Sequence, residues 1–95
     1  MTVSFHPAAR IELLEARLWY EKRSPMAATA FSHEVAAAIE RIAETPARYP
    51  AGEHGTSRLI LPHFPFNVIY RFSRTETVVI AFAHHKRRPG YWQNR

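Results

Sequence analysis

Ser57-Arg58-Leu59-Ile60-Leu61, then Phe66-Asn67-Val68-Ile69-Tyr70-Arg71-Phe72, then Thr77-Val78-Val79-Ile80-Ala81-Phe82-Ala83-His84 carry a two-residue period absent from the first half of the chain. In the middle segment Phe66, Val68, Tyr70 and Phe72 share one face, and Asn67, Ile69 and Arg71 share the other. The last segment is rich in β-branched residues and apolar on both faces, which predicts a central strand. Pro62-His63-Phe64-Pro65 and Ser73-Arg74-Thr75-Glu76 are the connections. Simple alternation groups Val78, Ile80, Phe82 and His84 on one face and Val79, Ala81, Ala83 and His85 on the other. The bulkier set is expected against the core, which turns His85 outward.

Upstream, Arg48 to Ser57 contains Pro50, Gly52 and Gly55 and is expected to be a loop. Before it the period is 3.6. Ala27, Phe31, Val35, Ala38 and Ile42 form a stripe on a helix from Pro25 to about Glu44, started by Ser24-Pro25 and stopped by Thr45-Pro46. Ala9, Leu13, Ala16 and Tyr20 form the stripe of an earlier helix beginning at Pro7, flanked by Ile11, Leu14 and Leu18. Glu12 and Glu15 lie early in it and Lys22 and Arg23 late, as the helix dipole favours. Thr2 to Phe5 is a short edge-strand candidate. The order is β-α-α-β-β-β. An α+β single domain over residues 1–95 is expected, with a helical hairpin on one face of a small, mainly antiparallel sheet. The other face, carrying Arg58, Asn67 and Arg71, is expected to stay open.

Charge is divided unevenly. Residues 1–48 balance six Arg/Lys against six Glu, whereas residues 49–95 carry seven Arg/Lys against Glu53 and Glu76, which accounts for the net +5. An anionic partner, nucleic acid or acidic protein, fits that asymmetry, and so does a basic surface without a role. The chain has no cysteine, which excludes disulfides, thiol nucleophiles and thiolate zinc sites and accords with a cytoplasmic location. The histidines lack metal-ligand spacing, so no metal or other cofactor is expected. No signal peptide and no membrane-spanning segment are expected from the apolar pattern.

His84-His85-Lys86-Arg87-Arg88, at the end of the most apolar strand, is the densest chemical cluster. Arginine forks and a lysine charge suit a phosphate, and a neutral histidine suits proton transfer near pH 7. RNA cleavage through a 2′-OH needs such groups, with Tyr91 stacking on a base or giving a proton. A solvated basic tail has the same composition. Arg58 and Arg71 suit either a binding face or surface ion pairs. Tyr91-Trp92 and Trp19-Tyr20 read first as packing residues.

Three stretches together resemble the RelE/ParE superfamily, toxins of type II toxin–antitoxin (plasmid-stabilisation) pairs. They are Ala9 to Ala16 with Trp19-Tyr20-Glu21; Arg58-Leu59 with Phe64-Pro65-Phe66-Asn67-Val68-Ile69-Tyr70-Arg71; and Ala81-Phe82-Ala83-His84-His85-Lys86-Arg87-Arg88-Pro89-Gly90-Tyr91-Trp92. The resemblance spans nearly the whole chain and implies the fold already read from periodicity. It implies a growth-inhibiting toxin neutralised by a cognate antitoxin that covers its working face. RelE-like members are ribosome-dependent mRNA endonucleases, and this RNA-binding reading is taken first. It would place Arg58, Arg71, His84, His85, Arg87 and Tyr91 in catalysis and Lys86, Arg88 and Trp92 in substrate binding. The alternatives are a ParE-like inhibitor of DNA gyrase without nuclease activity, or a non-toxic relative that only binds antitoxin. The chain has no lysine in the loop before Arg58, which departs from the nuclease pattern.

Overall fold

Two prolines and two capping side chains set the helices. In the computed structural model, which describes residues 2–95, β1 (Val3–Phe5) leads directly into α1 (Pro7–Arg23). His6 is the N-cap, its Nδ1 accepting from the Ala8 amide at 3.0 Å, and Pro7 fills the first helical position. Ser24 alone links α1 to α2 (Pro25–Glu44); its amide donates to the Tyr20 carbonyl and its Oγ accepts from the Ala27 amide. One residue therefore both closes one helix and opens the next. So short a link makes α1 and α2 pack as a hairpin.

β2 (Ser57–Ile60), β3 (Phe66–Phe72) and β4 (Thr77–His84) complete a four-stranded sheet in the order β1-β4-β3-β2. β1 runs parallel to β4, and the other pairs are antiparallel. The sheet is thus mixed, with β4 and β3 central. The expected loop before β2 contains two single 3-10 turns, Pro46–Arg48 and Glu53–Gly55, and an Ala51–Ser57 bridge.

Phe31, Val35, Ala38 and Ile42 of α2 meet Leu59, Val68, Tyr70, Val79 and Phe82 of the sheet in the main core. The Phe31 ring touches Tyr20, Phe64 and Phe66. The Tyr70 hydroxyl donates to the Pro46 carbonyl, and burial pushes its pKa up.

Strict alternation fails in β4. Ile69 lies opposite Ala81 and Tyr70 opposite Val79, so Ile80 is an additional residue with no counterpart on β3. Val79 and Phe82 consequently face the helices, while Ile80, Ala81 and Ala83 face the other way. The expectation that Val78 and Ile80 share a core face with Phe82 is corrected by this bulge. Phe82, Ala83 and His84, beyond the bulge, keep the grouping read from the sequence.

The second face of the sheet is not open throughout. Residues 86–95 fold back across it, and Trp92 packs on Ile69, Ile80, Ala81 and Ala83 at only 8% exposure. The tail reads as loose in sequence because Pro89-Gly90 breaks periodicity, yet Ile69, Ile80 and Ala81 offer it an apolar floor. α1 also departs from a simple amphipathic helix. Ile11, Leu14 and Leu18 lie 57%, 46% and 43% exposed on its outer side.

Candidate functional site

A groove of about 530 Å³ lies where the uncovered part of that face meets the tail. β2 contributes Arg58 and Ile60, β3 contributes Asn67 and Ile69, and β4 contributes Ala83 and His84. Arg58 and Ile60 point there because Ser57 and Leu59 alternate with them toward the interior. His85, Arg87, Arg88, Tyr91 and Trp92 close the groove from the tail, and Glu53 with Gly52 and Thr56 forms the remaining wall.

Seven of the nine residues singled out in the sequence therefore line one groove: Arg58, His84, His85, Arg87, Arg88, Tyr91 and Trp92. Lys86 and Arg71 do not. Lys86 is exposed, and its main-chain N–H donates to His84 Nδ1 at 3.0 Å. Arg71 lies beneath the tail. Its Nη1 donates to the main-chain oxygen of Arg95 at 2.8 Å, and its Nε to the His54 carbonyl at 3.3 Å. It acts as a strut holding residues 54 and 95 together.

The two histidines differ. The His84 ring sits edge-on to Phe66 with centroids 5.0 Å apart. Desolvation, then the nearby His85 and Lys86, lower its pKa. It is neutral at pH 7, with Nδ1 acting as an acceptor. His85 is exposed, and its Nε2 lies 3.0 Å from Asn67 Oδ1.

Tyr91 is engaged on two sides. The Arg87 guanidinium stacks 3.9 Å from its ring centroid, and its hydroxyl donates to Glu12 Oε2 at 2.7 Å. Burial, then the Glu12 carboxylate, push the phenol well above its usual range. Glu12 also accepts from Arg95 at 2.8 and 3.1 Å and from the Phe82 amide at 3.1 Å. One carboxylate thus ties α1, the edge of β4 and the tail together. Glu12 lies beyond the first helical turn, so the dipole role read from sequence is replaced by this clasp.

No local pattern announces the clasp, because Tyr91 and Arg95 lie 79 and 83 residues from Glu12. The available signal was composition: a carboxylate on an otherwise apolar helix shoulder, and an arginine following an aromatic pair.

Arg58 and Arg88 are exposed, and among the described residues their side chains have no hydrogen-bond, ion-pair or ring partner. Glu53 is the groove's one acidic lining residue among those described, and its carboxylate is 81% exposed. The groove is therefore cationic over an aliphatic floor. No group of three His, Cys, Asp or Glu side chains among the described residues could hold a metal ion. Among those residues no helix is long and apolar enough to cross a membrane.

A helical hairpin on a small mixed sheet, with a basic groove beside the C-terminal tail, defines an α+β domain of the RelE/ParE superfamily. The family model described as "ParE toxin of type II toxin-antitoxin system, parDE" matches residues 3–89, and the chain belongs to that family. Among solved structures, one described as "Chromosomal ParDE TA system from P. aeruginosa" superposes with a TM-score of 0.74 at 17% identity. The match covers 88% of this chain and 95% of that one. At that identity the likeness establishes the fold. No curated protein matches the sequence.

Proposed function

We propose that this protein is a growth-inhibiting toxin that acts by binding, with DNA gyrase as its target, and that a cognate antitoxin neutralises it. Tyr91 is the observation that carries the reading. A phenol hydrogen-bonded to a carboxylate, with its pKa raised, is a poor proton donor to a leaving group and a worse base. Its ring is already stacked by Arg87, and Arg71 is held on the tail backbone. Three of the groups that nuclease chemistry would recruit, Arg71, Arg87 and Tyr91, are thus engaged in contacts within or to the tail. These engagements, and the family the chain belongs to, favour the gyrase-binding alternative over the nuclease reading taken first from the sequence. The structural neighbour belongs to a toxin–antitoxin system, which supports the antitoxin partner. A cytoplasmic location goes with both partners.

Purified protein added to gyrase and relaxed plasmid tests the target. Inhibition of supercoiling, with mRNA left intact in a ribosome-programmed reaction, is expected. Normal supercoiling together with mRNA cut on the ribosome overturns the reading.

A further inference from the structure

The groove's chemistry says more about its ligand than the family does. Its unpartnered groups are cations: Arg58 and Arg88 have no side-chain partner among the described residues. Arg87 lies over the Tyr91 ring, which leaves the edge of its guanidinium fork accessible. These three face one carboxylate, Glu53.

The floor decides between kinds of polyanion. Proteins that hold single strands combine a basic track with open aromatic faces on which bases stack. Here Tyr91 is covered by Arg87, and Trp92 is 8% exposed with its ring against His54. The floor is aliphatic, made of Ile60, Ile69 and Ala83. No phenylalanine, tyrosine or tryptophan in the described groove presents a free face. Arginine forks without a stacking platform suit phosphates whose bases are already paired and stacked.

We propose that the groove is a binding site for the phosphodiester backbone of duplex DNA, held by Arg58, Arg87 and Arg88 without base readout. The proposal deepens the binding function above and rests on the groove being a contact surface. A gyrase-directed toxin then engages the DNA segment that its target handles as well as the enzyme.

The test is fluorescence anisotropy with a labelled 20-bp duplex and a single-stranded RNA of matching length, over a range of salt. Three phosphate contacts give a log–log salt slope of about −2.7, which weakens binding about 40-fold between 50 and 200 mM. Arg58→Gln and Arg88→Gln each reduce the slope by about 0.9. Arg74→Gln, on the exposed β3–β4 turn away from the groove, leaves it unchanged. Circular dichroism checks that each variant is folded.

Preference for the RNA overturns the proposal, and so does an Arg74→Gln effect equal to those of the groove variants. Supercoiling inhibition run in parallel separates the two readings. Inhibition by protein that binds no duplex sinks the phosphate site and leaves the gyrase reading standing. Duplex binding without inhibition supports the site and removes gyrase as the target.

Discussion

At Tyr91 a catalytic role and a structural role give opposite results for one substitution. Tyr91→Phe removes only the hydroxyl, keeps the ring beneath Arg87, and leaves Glu12 bound to Arg95 and to the Phe82 amide. A charge-assisted hydrogen bond is lost, which costs about 1.5–3 kcal/mol. The expected variant is less stable in urea and still arrests growth when expressed. Folded Tyr91→Phe without toxicity would restore the phenol to the chemistry. Glu12→Ala is the harsher change, because it leaves the Tyr91 hydroxyl and the Phe82 amide without their acceptor and the Arg95 guanidinium with the Ile80 carbonyl alone. With both partners of the ion pair mostly buried, the loss is about 3 kcal/mol, read from denaturant midpoints. The titrations have opposite signs. Tyr91 has its folded pKa raised above 10.0, so its contribution is complete below that pH and is lost as pH rises further. His84 has its folded pKa lowered below 6.5, so its contribution is present above that pH and is lost as pH falls through the folded value. Melting temperature against pH should fall at both ends, and His84→Asn should flatten the acid limb. None of these residue roles could be read locally. Tyr91 and His84 were legible as a cluster, but whether the Tyr91 hydroxyl is free or engaged depends on a helix at the other end of the chain.

Among the elements, α1 and α2 are stabilised in different ways. α2 buries Phe31, Val35, Ala38 and Ile42 along one stripe, so Phe31→Ala removes the ring that Tyr20, Phe64 and Phe66 pack against. A loss of about 3–5 kcal/mol is expected in urea unfolding. α1 buries only Ala9 and Ala16, and its large apolar residues Ile11, Leu14 and Leu18 look outward. Leu14→Gln should therefore change stability by less than about 0.5 kcal/mol in the same measurement. Ser24→Ala removes the cap of α2 and should cost about 1 kcal/mol. The helices, their prolines and the three C-terminal strands were legible because each carries its own period or its own stop signal. The bulge at Ile80 was not. In Val78-Val79-Ile80-Ala81 every residue is apolar, so sliding the register by one leaves the pattern unchanged and only pairing with β3 selects it. The parallel pairing of β1 with β4 was equally silent, since three residues carry too little pattern to name a partner.

At the scale of the whole molecule, a 95-residue chain with a helical layer on one sheet face would expose an apolar second face without its tail. Ile69, Ile80, Ala81 and Ala83 are 4%, 4%, 0% and 7% exposed, and Trp92 is what packs on them. Domains of this size hold about 5–14 kcal/mol in total. Trp92→Ala should remove about 3–5 kcal/mol of that, about a fifth of the reserve or more. It should also loosen the groove, because Trp92 lines it beside Arg88. Two measurements separate these effects. Urea unfolding followed by far-ultraviolet circular dichroism reads stability, and growth arrest at low temperature, where the weakened fold still forms, reads function. The expected variant unfolds at lower urea and fails to arrest growth even while folded, since the groove loses a lining side chain from the tail segment that carries Arg87 and Arg88. If folded Trp92→Ala keeps full toxicity, the tail is a stabilising cover alone, and the contact surface lies elsewhere on the molecule. The tail would then serve the fold on one face as α2 serves it on the other, and the cationic rim would owe its position to packing with no further consequence.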